Sequence, residues 1–514
     1  MTQDVLVEER GLAAPEPIET INHWIGGASL AELPAQTQDV FNPAIGHVIA
    51  KVARGGTTEV DRAVQAAKVA FPAWRDASLM ARENVMFAFR ELVYRHREEM
   101  ARLITRDHGK TYPDALGEVL RGLETIDFAC SVPALMGGMI TPNVSTNVDA
   151  YTIRQPLGVV AAITPFNFPA MVPMWIYPIA VATGNAVVWK PSSHTPGATR
   201  LQAELWKEAG LPDGIFNVVY GGREAVEAIL EHPDIAALQF VGSTAVGRHV
   251  YETGTKNGKR VGAYTGAKNH MVVLPDADME LAADSAVSAG FGSAGERCMA
   301  IATVVAVGEA GDRLIQLIVE RIGRLKVGPG MEPGVDMGPI YASEHRASII
   351  RWIEKGVAEG ATLVHDGRPF RHPEYPDGFY LGVTLFDHVT PEMEIYREEI
   401  FGPVLTVVRV ATYDEALRLV NSHHYANGTA IFTNDGGAAR RYQMECQTPM
   451  IGINVPIPVP YGHFSFGGDR DSAFGALKMR GQDGVRFFTK LKEVTSRWPD
   501  PSLRGLNLGF PRTT

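Results

Sequence analysis

The sequence predicts an α/β protein of more than one domain, and three observations carry that expectation. Its 514 residues exceed what one core holds, since a single domain usually spans roughly 100–200 residues. Runs rich in β-branched residues alternate with helix-period runs through most of the chain, which is the rhythm of a parallel sheet joined by crossover helices. The composition, 45% hydrophobic and 21% charged, lets apolar burial offset folding entropy and excludes disordered and fibrous classes.

Along the chain, Thr58 to Arg75 and Met80 to His108 place apolar residues at helical spacing with few breakers, so the early part reads as helical. Gly137 to Gly158 (GGMITPNVSTNVDAYTIRQPLG) mixes turn residues with β-branched ones and predicts a protruding hairpin. The runs LGVVAAI, AVVWK, IFNVVYG, IAALQFVG and NHMVVLP then read as strands, separated by helices that end at Ala209 and cover Glu224 to Glu231. A second α/β stretch, Ala282 to about Pro460, has helices over Asp312 to Leu325 and Glu344 to Glu359 and strands in AIATVVAVG, FGPVLTVVRV and GTAIFT. The closing VRFFTKLKEVTSRW reads as a strand, and an open edge calls for a partner: the earlier hairpin or another subunit's sheet.

Charge and cysteine usage narrow the function. A net charge of -10 without a Lys/Arg-rich run speaks against nucleic acid. No apolar stretch reaches the roughly 18 residues of a membrane span, and the opening MTQDVLVEERGLAAPEP is acidic where targeting peptides are basic, so the expectation is a cytoplasmic protein without membrane contact. Cys130, Cys298 and Cys446 are too scattered for a disulfide framework or a metal site, which fits a reducing compartment. Cys130 and Cys446 read as structural. His270, His423, His424 and His463 form no metal-binding spacing either, and no metal is expected.

The chemistry concentrates in four segments. Cys298 lies in the small-residue stretch Gly292-Ser293-Ala294-Gly295-Glu296-Arg297-Cys298-Met299, which leads into a strand. Thr164-Pro165-Phe166-Asn167-Phe168-Pro169 puts an amide donor just after another strand, where it can stabilise an oxyanion. Lys190-Pro191-Ser192-Ser193 ends the next strand, and Phe240 to Gly247 links a strand to a helix, both positions at which α/β proteins hold nucleotides. The glycine pair of that last turn is weak by itself, and no GxGxxG follows the first strand.

In this order and spacing, with Glu398-Glu399-Ile400-Phe401-Gly402-Pro403-Val404 downstream, the segments resemble the aldehyde dehydrogenase superfamily over nearly the whole chain. GSAGERCMA, GAKNHMVVLPDAD, NVPIPVPYGHFSFGG and KLKEVTSRWP are similar to its CoA-acylating methylmalonate-semialdehyde dehydrogenase branch. The resemblance implies a Rossmann-type nucleotide-binding domain over 20–139 and 160–271 and an α/β catalytic domain over 272–472. It adds a small β element for bridging or oligomerisation over 140–159 and 473–500, in homodimers or homotetramers.

It also implies a mechanism. The Cys298 thiolate attacks the aldehyde, Asn167 and the Cys298 N–H hold the oxyanion, and hydride passes to a nicotinamide to leave a thioester. Thr164, Phe166, Lys190, Ser193, Gly242, Ser243, Glu399 and Phe401 are the implied cofactor contacts. Arg121 and Arg297 are the implied carboxylate contacts, so malonate or methylmalonate semialdehyde is the implied substrate, with loss of CO₂ to give acetyl-CoA or propionyl-CoA.

Two departures from the family pattern bear on that mechanism. Tyr264 stands where most superfamily members have a Glu that activates water, and where this branch usually has Asn or a small aliphatic residue. A tyrosine with a pKa near 10 is a poor base at neutral pH, so coenzyme A is the expected acyl acceptor. Ser193 stands where the branch usually has a Glu that repels a 2′-phosphate, so NADP is expected to be accepted beside NAD. The rival enzyme is a hydrolytic semialdehyde dehydrogenase in which Glu252 or Glu296 activates water. A non-catalytic scaffold on the same fold is the rival of another class, and joint retention of Cys298, Asn167, Lys190 and Glu399 speaks against it.

Overall fold

The computed structural model describes residues 18–32 and 34–498. The acidic opening segment on which the targeting expectation rested lies outside the described residues, as do positions 499–500 of the expected bridging element.

Strands Val159–Ile163 and Ala186–Lys190 are buried along their whole length, as strands covered by helices on both faces must be. They sit centrally in an eight-stranded sheet whose spatial order is Ala473–Phe474, Arg260–Tyr264, Ile235–Val241, Val159–Ile163, Ala186–Lys190, Phe216–Val218, Trp24–Ile25, Ala28–Ser29. The five inner strands run parallel, and the edge strands pair antiparallel. The direction of winding reverses between Val159–Ile163 and Ile235–Val241, which opens a crevice at their carboxyl ends, the place where open α/β sheets bind ligands.

Helix Met171–Ala182 is buried on every side and lies against Tyr112–Ala129. The helical stretch expected over Met80 to His108 is two helices, Leu79–Arg95 and Arg97–His108, with His96 capping both. Apolar periodicity survives such a break, so the sequence pattern runs through it.

The second sheet has seven strands in the order Thr362–His365, Thr384–Asp387, Val404–Val410, Ile301–Val307, Asn269–Val273, Gly428–Phe432, Met450–Ile453. Only the first pair is antiparallel. Asn269–Val273 follows the strands of the first sheet in sequence yet is an inner strand of the second. Conversely, Ala473–Phe474 returns to close an edge of the first.

The closing strand is Thr489–Arg497, and it pairs antiparallel with hairpin strand Val148–Pro156 along its full length, from Thr489 opposite Pro156 to Arg497 opposite Val148. The residues just before it are helical, Gly481–Phe487, although VRFF reads as strand. Tertiary packing overrides the β propensity there: Val485 and Phe487 are buried, and Gly484 lies so close to Ile179 that an added Cβ would sit 3.0 Å from it. Among the described residues no helix is long and apolar enough to cross a membrane.

Candidate active site

The carboxyl ends of the first sheet's strands face loops that precede strands of the second, and the predicted residues divide between these two sets. Thr164, Phe166 and Asn167 follow Val159–Ile163; Lys190 ends Ala186–Lys190; Gly242 and Ser243 follow Ile235–Val241. From the other side, Cys298 precedes Ile301–Val307, and Glu399 and Phe401 precede Val404–Val410.

Cys298 is placed by a strained turn. Ser293 and Ala294 both have φ of 53°, and Gly295 has φ of 71°. A side chain at Gly295 would meet the Gly402 carbonyl at 2.1 Å, so glycine is required both for the left-handed backbone and for that close approach. The Cys298 carbonyl accepts from the Asn269 Nδ2 at 2.9 Å and the Asn427 Nδ2 at 3.1 Å, which fixes the turn from the second sheet. Burial pushes the thiol up to about 12, with the Glu399 carboxylate adding to the shift, so the resting sulfur is protonated.

Asn167 is held from both ends. Its Nδ2 donates to the Glu296 carbonyl at 2.9 Å, and its own carbonyl accepts from the Lys110 Nζ at 2.6 Å. Lys110 pairs with Glu118 at 2.8 Å, both fully buried, and Glu118 also accepts from the Ala170 and Met171 N–H groups. The second Asn167 amide hydrogen remains for a ligand oxygen.

The residues at the crevice fit a dinucleotide. The buried Lys190 ammonium donates to the Pro191 carbonyl at 2.9 Å and the Gly221 carbonyl at 3.0 Å, which leaves one of its three hydrogens for a ribose hydroxyl. Burial lowers that amine to about 8. Ser193 is buried beside it, while Ser243 opens the helix Thr244–Lys256 and is exposed. Thr164 accepts from the Trp189 indole at 2.8 Å, and Phe166 stacks on Tyr341 with centroids 3.5 Å apart and meets Phe401 edge-on. Glu399 accepts from the Ala267 N–H at 2.9 Å, and burial raises its carboxyl to about 7 against the pull of Lys268. A Cβ on Gly266 would lie 3.0 Å from the other Glu399 oxygen, so the missing side chain keeps that carboxylate accessible.

On the opposite side of the sulfur, Cys298, Arg121 and Arg297 line one cavity of about 260 Å³ together with Phe168, Trp175 and Ile457. Arg297 pairs with Asp114 at 2.7 Å, and Arg121 with Glu124 at 2.8 Å. A larger cavity of about 630 Å³ adjoins it and shares Arg297 and Ile457.

Tyr264 does not line that cavity. Its hydroxyl donates to the Leu477 carbonyl at 2.9 Å, and burial raises its pKa further. Glu252 is exposed on the helix Thr244–Lys256, and Glu296 turns its carboxyl into a buried cluster with His108 and His345. Neither lines a cavity with Cys298. Sequence reasoning missed Lys110, Glu118, Asn269, Asn427 and Asp114. They look like ordinary polar residues of helices and strand starts, and only the folded chain joins them to the nucleophile. Among the described residues, Cys130 is buried at a helix end, and no group of His, Cys, Asp and Glu is arranged to hold a metal ion.

Cys298 lies between a crevice whose residues fit a dinucleotide and a cavity walled by two arginines, and residues 31–494 match the aldehyde dehydrogenase family model. The chain belongs to that family. It is 49% identical over 481 residues to the malonate-semialdehyde dehydrogenase of Pseudomonas aeruginosa, covering 93% of this chain and 97% of that protein. It is 46% identical to malonate-semialdehyde dehydrogenase 2 of Geobacillus kaustophilus, over 94% and 99% of the two chains. A crystal structure of a methylmalonate-semialdehyde dehydrogenase from Oceanimonas doudoroffii superposes with a TM-score of 0.93 at 48% identity, over 95% of this chain and all of that one. The NAD complex of a protein described as a putative methylmalonate-semialdehyde dehydrogenase from Sinorhizobium meliloti 1021 gives the same TM-score at 46% identity, over 94% and 99%.

Proposed function

We propose that this aldehyde dehydrogenase oxidises malonate or methylmalonate semialdehyde with NAD and passes the acyl group to coenzyme A. The observation that carries this reading is the single cavity wall shared by Cys298, Arg121 and Arg297. Two guanidinium groups there suit a substrate carboxylate, and each is already oriented by an acidic neighbour.

The Cys298 thiol gives up its proton to water as its sulfur attacks the aldehyde carbon, and the carbonyl electron pair moves to the oxygen, held by the Asn167 amide and the Cys298 N–H. When bound, the dinucleotide supplies the hydride acceptor. Lys190, Ser193, Gly242 and Ser243 hold its adenosine and pyrophosphate portion, while Thr164, Phe166, Glu399 and Phe401 hold the nicotinamide end. Collapse of the thiohemiacetal leaves a thioester on Cys298. Its β-carboxylate departs as CO₂, the electron pair passes into the thioester carbonyl, and protonation of the α-carbon gives an acetyl or propionyl group. The thiol of coenzyme A then forms the new thioester and releases Cys298.

Acyl transfer to a thiol is favoured over hydrolysis because Tyr264 is committed to Leu477 and stays protonated. The carboxylates that do line the Cys298 cavities have partners: Asp114 holds Arg297, Glu118 holds Lys110, and Glu399 accepts from Ala267. The adjoining larger cavity supports approach of a bulky acceptor from the substrate side. Ser193 supports use of NADP as a second cofactor. Exposed Met139, Ile140, Ile153 and Leu491 on the hairpin and closing strand support a homodimer or homotetramer, and three unpaired cysteines support a cytoplasmic location.

The test is reduction of NAD and NADP with malonate semialdehyde and with propanal, against a Cys298→Ala control. The reading expects kcat/KM to favour the carboxylated aldehyde by about 100-fold or more, since propanal forgoes the charge-assisted hydrogen bonds that two guanidinium groups offer a carboxylate. Equal turnover of the two aldehydes removes it.

A further inference from the structure

Glu296, two residues before the nucleophile, is fully buried and lies within a knot of polar groups that the mechanism does not use. Its Oε1 accepts from the Tyr341 N–H at 3.4 Å and lies 3.7 Å from the His345 Nε2. Its Oε2 lies 3.5 Å from the His108 Nε2, and neither of these two atoms has a hydrogen-bond partner among the described residues. Its main-chain carbonyl is the acceptor for the Asn167 amide. His345 in turn donates from Nε2 to the Phe401 carbonyl at 2.7 Å. Phe401 has φ of 56°, and Gly402 behind it presses on Gly295 of the nucleophile turn.

We infer that Glu296 is a positioning residue that locks three parts of the active site to one another: the Cys298 turn, the Asn167 amide, and the Glu399–Phe401 strap reached through His345. The turn stores left-handed strain at Ser293 and Ala294, so something must hold it, and the Glu296 side chain is the anchor on its buried side. Burial holds the Glu296 carboxyl well above the usual carboxylate range and the His108 imidazole well below its own, so the knot works through the packing of uncharged groups and the hydrogen bond from the Tyr341 N–H. Glutamine therefore retains what glutamate provides here, and alanine does not.

The experiment compares Glu296→Gln and Glu296→Ala by the pre-steady-state burst of NADH, by the Kd for NAD, and by iodoacetamide alkylation of Cys298 in cofactor-free enzyme. Glu296→Gln is expected within about threefold of the parent on all three, because the shape and acceptor are kept. Glu296→Ala is expected to slow the burst by on the order of 100-fold, the effect of a displacement near 1 Å at the reacting atoms. It should also speed alkylation at least about fivefold as the loosened turn hydrates the thiol. A role confined to stability moves the melting temperature and leaves the burst and the alkylation rate alone, which overturns the inference. A Gln variant as impaired as Ala overturns it as well, since charge and not placement would then matter. If Glu296→Ala does not fold, His345→Ala decides, because it removes the contact with Glu296 and the bond to Phe401 while Glu296 keeps its Tyr341 and Asn167 hydrogen bonds. A rise in the Kd for NAD of about fivefold, roughly 1 kcal/mol, supports the lock, and an unchanged Kd and burst overturn it.

Discussion

The two sides of Cys298 are built by different means. On the cofactor side, charged groups are buried and tied to the backbone: Lys190 to two carbonyls, Lys268 to the Ile395 and Glu398 carbonyls, Glu399 to the Ala267 N–H. On the substrate side, charges pair with each other at the wall of a cavity, Arg297 with Asp114 and Arg121 with Glu124, and Arg121 is about two-fifths exposed. Backbone anchors come with the fold and fix one geometry for a ligand common to a whole family. Side-chain pairs can be exchanged singly, so they suit the part of the site that distinguishes one aldehyde from another.

Substitutions that disturb one side and spare the other sharpen this contrast. The largest effect belongs to the atom both sides share: Cys298→Ala should abolish turnover, a loss of at least about 10⁴-fold, while titration still detects bound NAD. Next, Arg297→Leu should lower kcat/KM for the carboxylated aldehyde by about 100-fold and that for propanal by far less, leaving the Kd for NAD unchanged. If both aldehydes suffer alike, the pair with Asp114 is architectural.

Glu399→Gln reverses the pattern. It should raise the KM for NAD by about tenfold, the loss of one charge-assisted hydrogen bond. Its second effect carries a sign. The Glu399 carboxylate helps hold the Cys298 thiol up near 12, so removing that charge lowers the thiol pKa and speeds alkylation of cofactor-free enzyme at pH 8 to 9. Below pH 7 the gain should fade, because Glu399 itself, with a pKa of about 7, is then protonated. The smallest effect is expected from Tyr264→Phe. Loss of its bond to Leu477 should cost about 1 kcal/mol of stability by denaturant titration and leave the partition between CoA and water untouched.

The same contrast explains what was legible in the sequence. Inner strands such as Val159–Ile163 and Ala186–Lys190 are read correctly because burial on both faces leaves an unbroken apolar run. Cys298, Asn167, Lys190 and Glu399 stand out because their segments sit at strand ends and match a family pattern. The sheet to which Asn269–Val273 belongs was not legible, because alternation records that strands and helices follow one another and not where a chain crosses between sheets. Nor were Asn427 and Lys110, which reach the nucleophile and Asn167 across long separations in sequence. Glu296 was weighed as a base for water. The anchoring role proposed for it rests on its buried neighbours His108 and His345, and neither is near it in the chain.

The central claim is that the Cys298 thioester is resolved by coenzyme A, and the direct measurement is a single preparation turned over on malonate semialdehyde and NAD with and without it. The account predicts that without coenzyme A the enzyme makes a burst of about one NADH per active site and then nearly stops, because Tyr264 stays protonated, Asp114 and Glu118 are paired with cations, and Glu399 is taken up by the cofactor. With coenzyme A it should turn over continuously, with acetyl-CoA appearing in step with NADH. Sustained turnover at the same rate without coenzyme A, with free acid as the product, would contradict it.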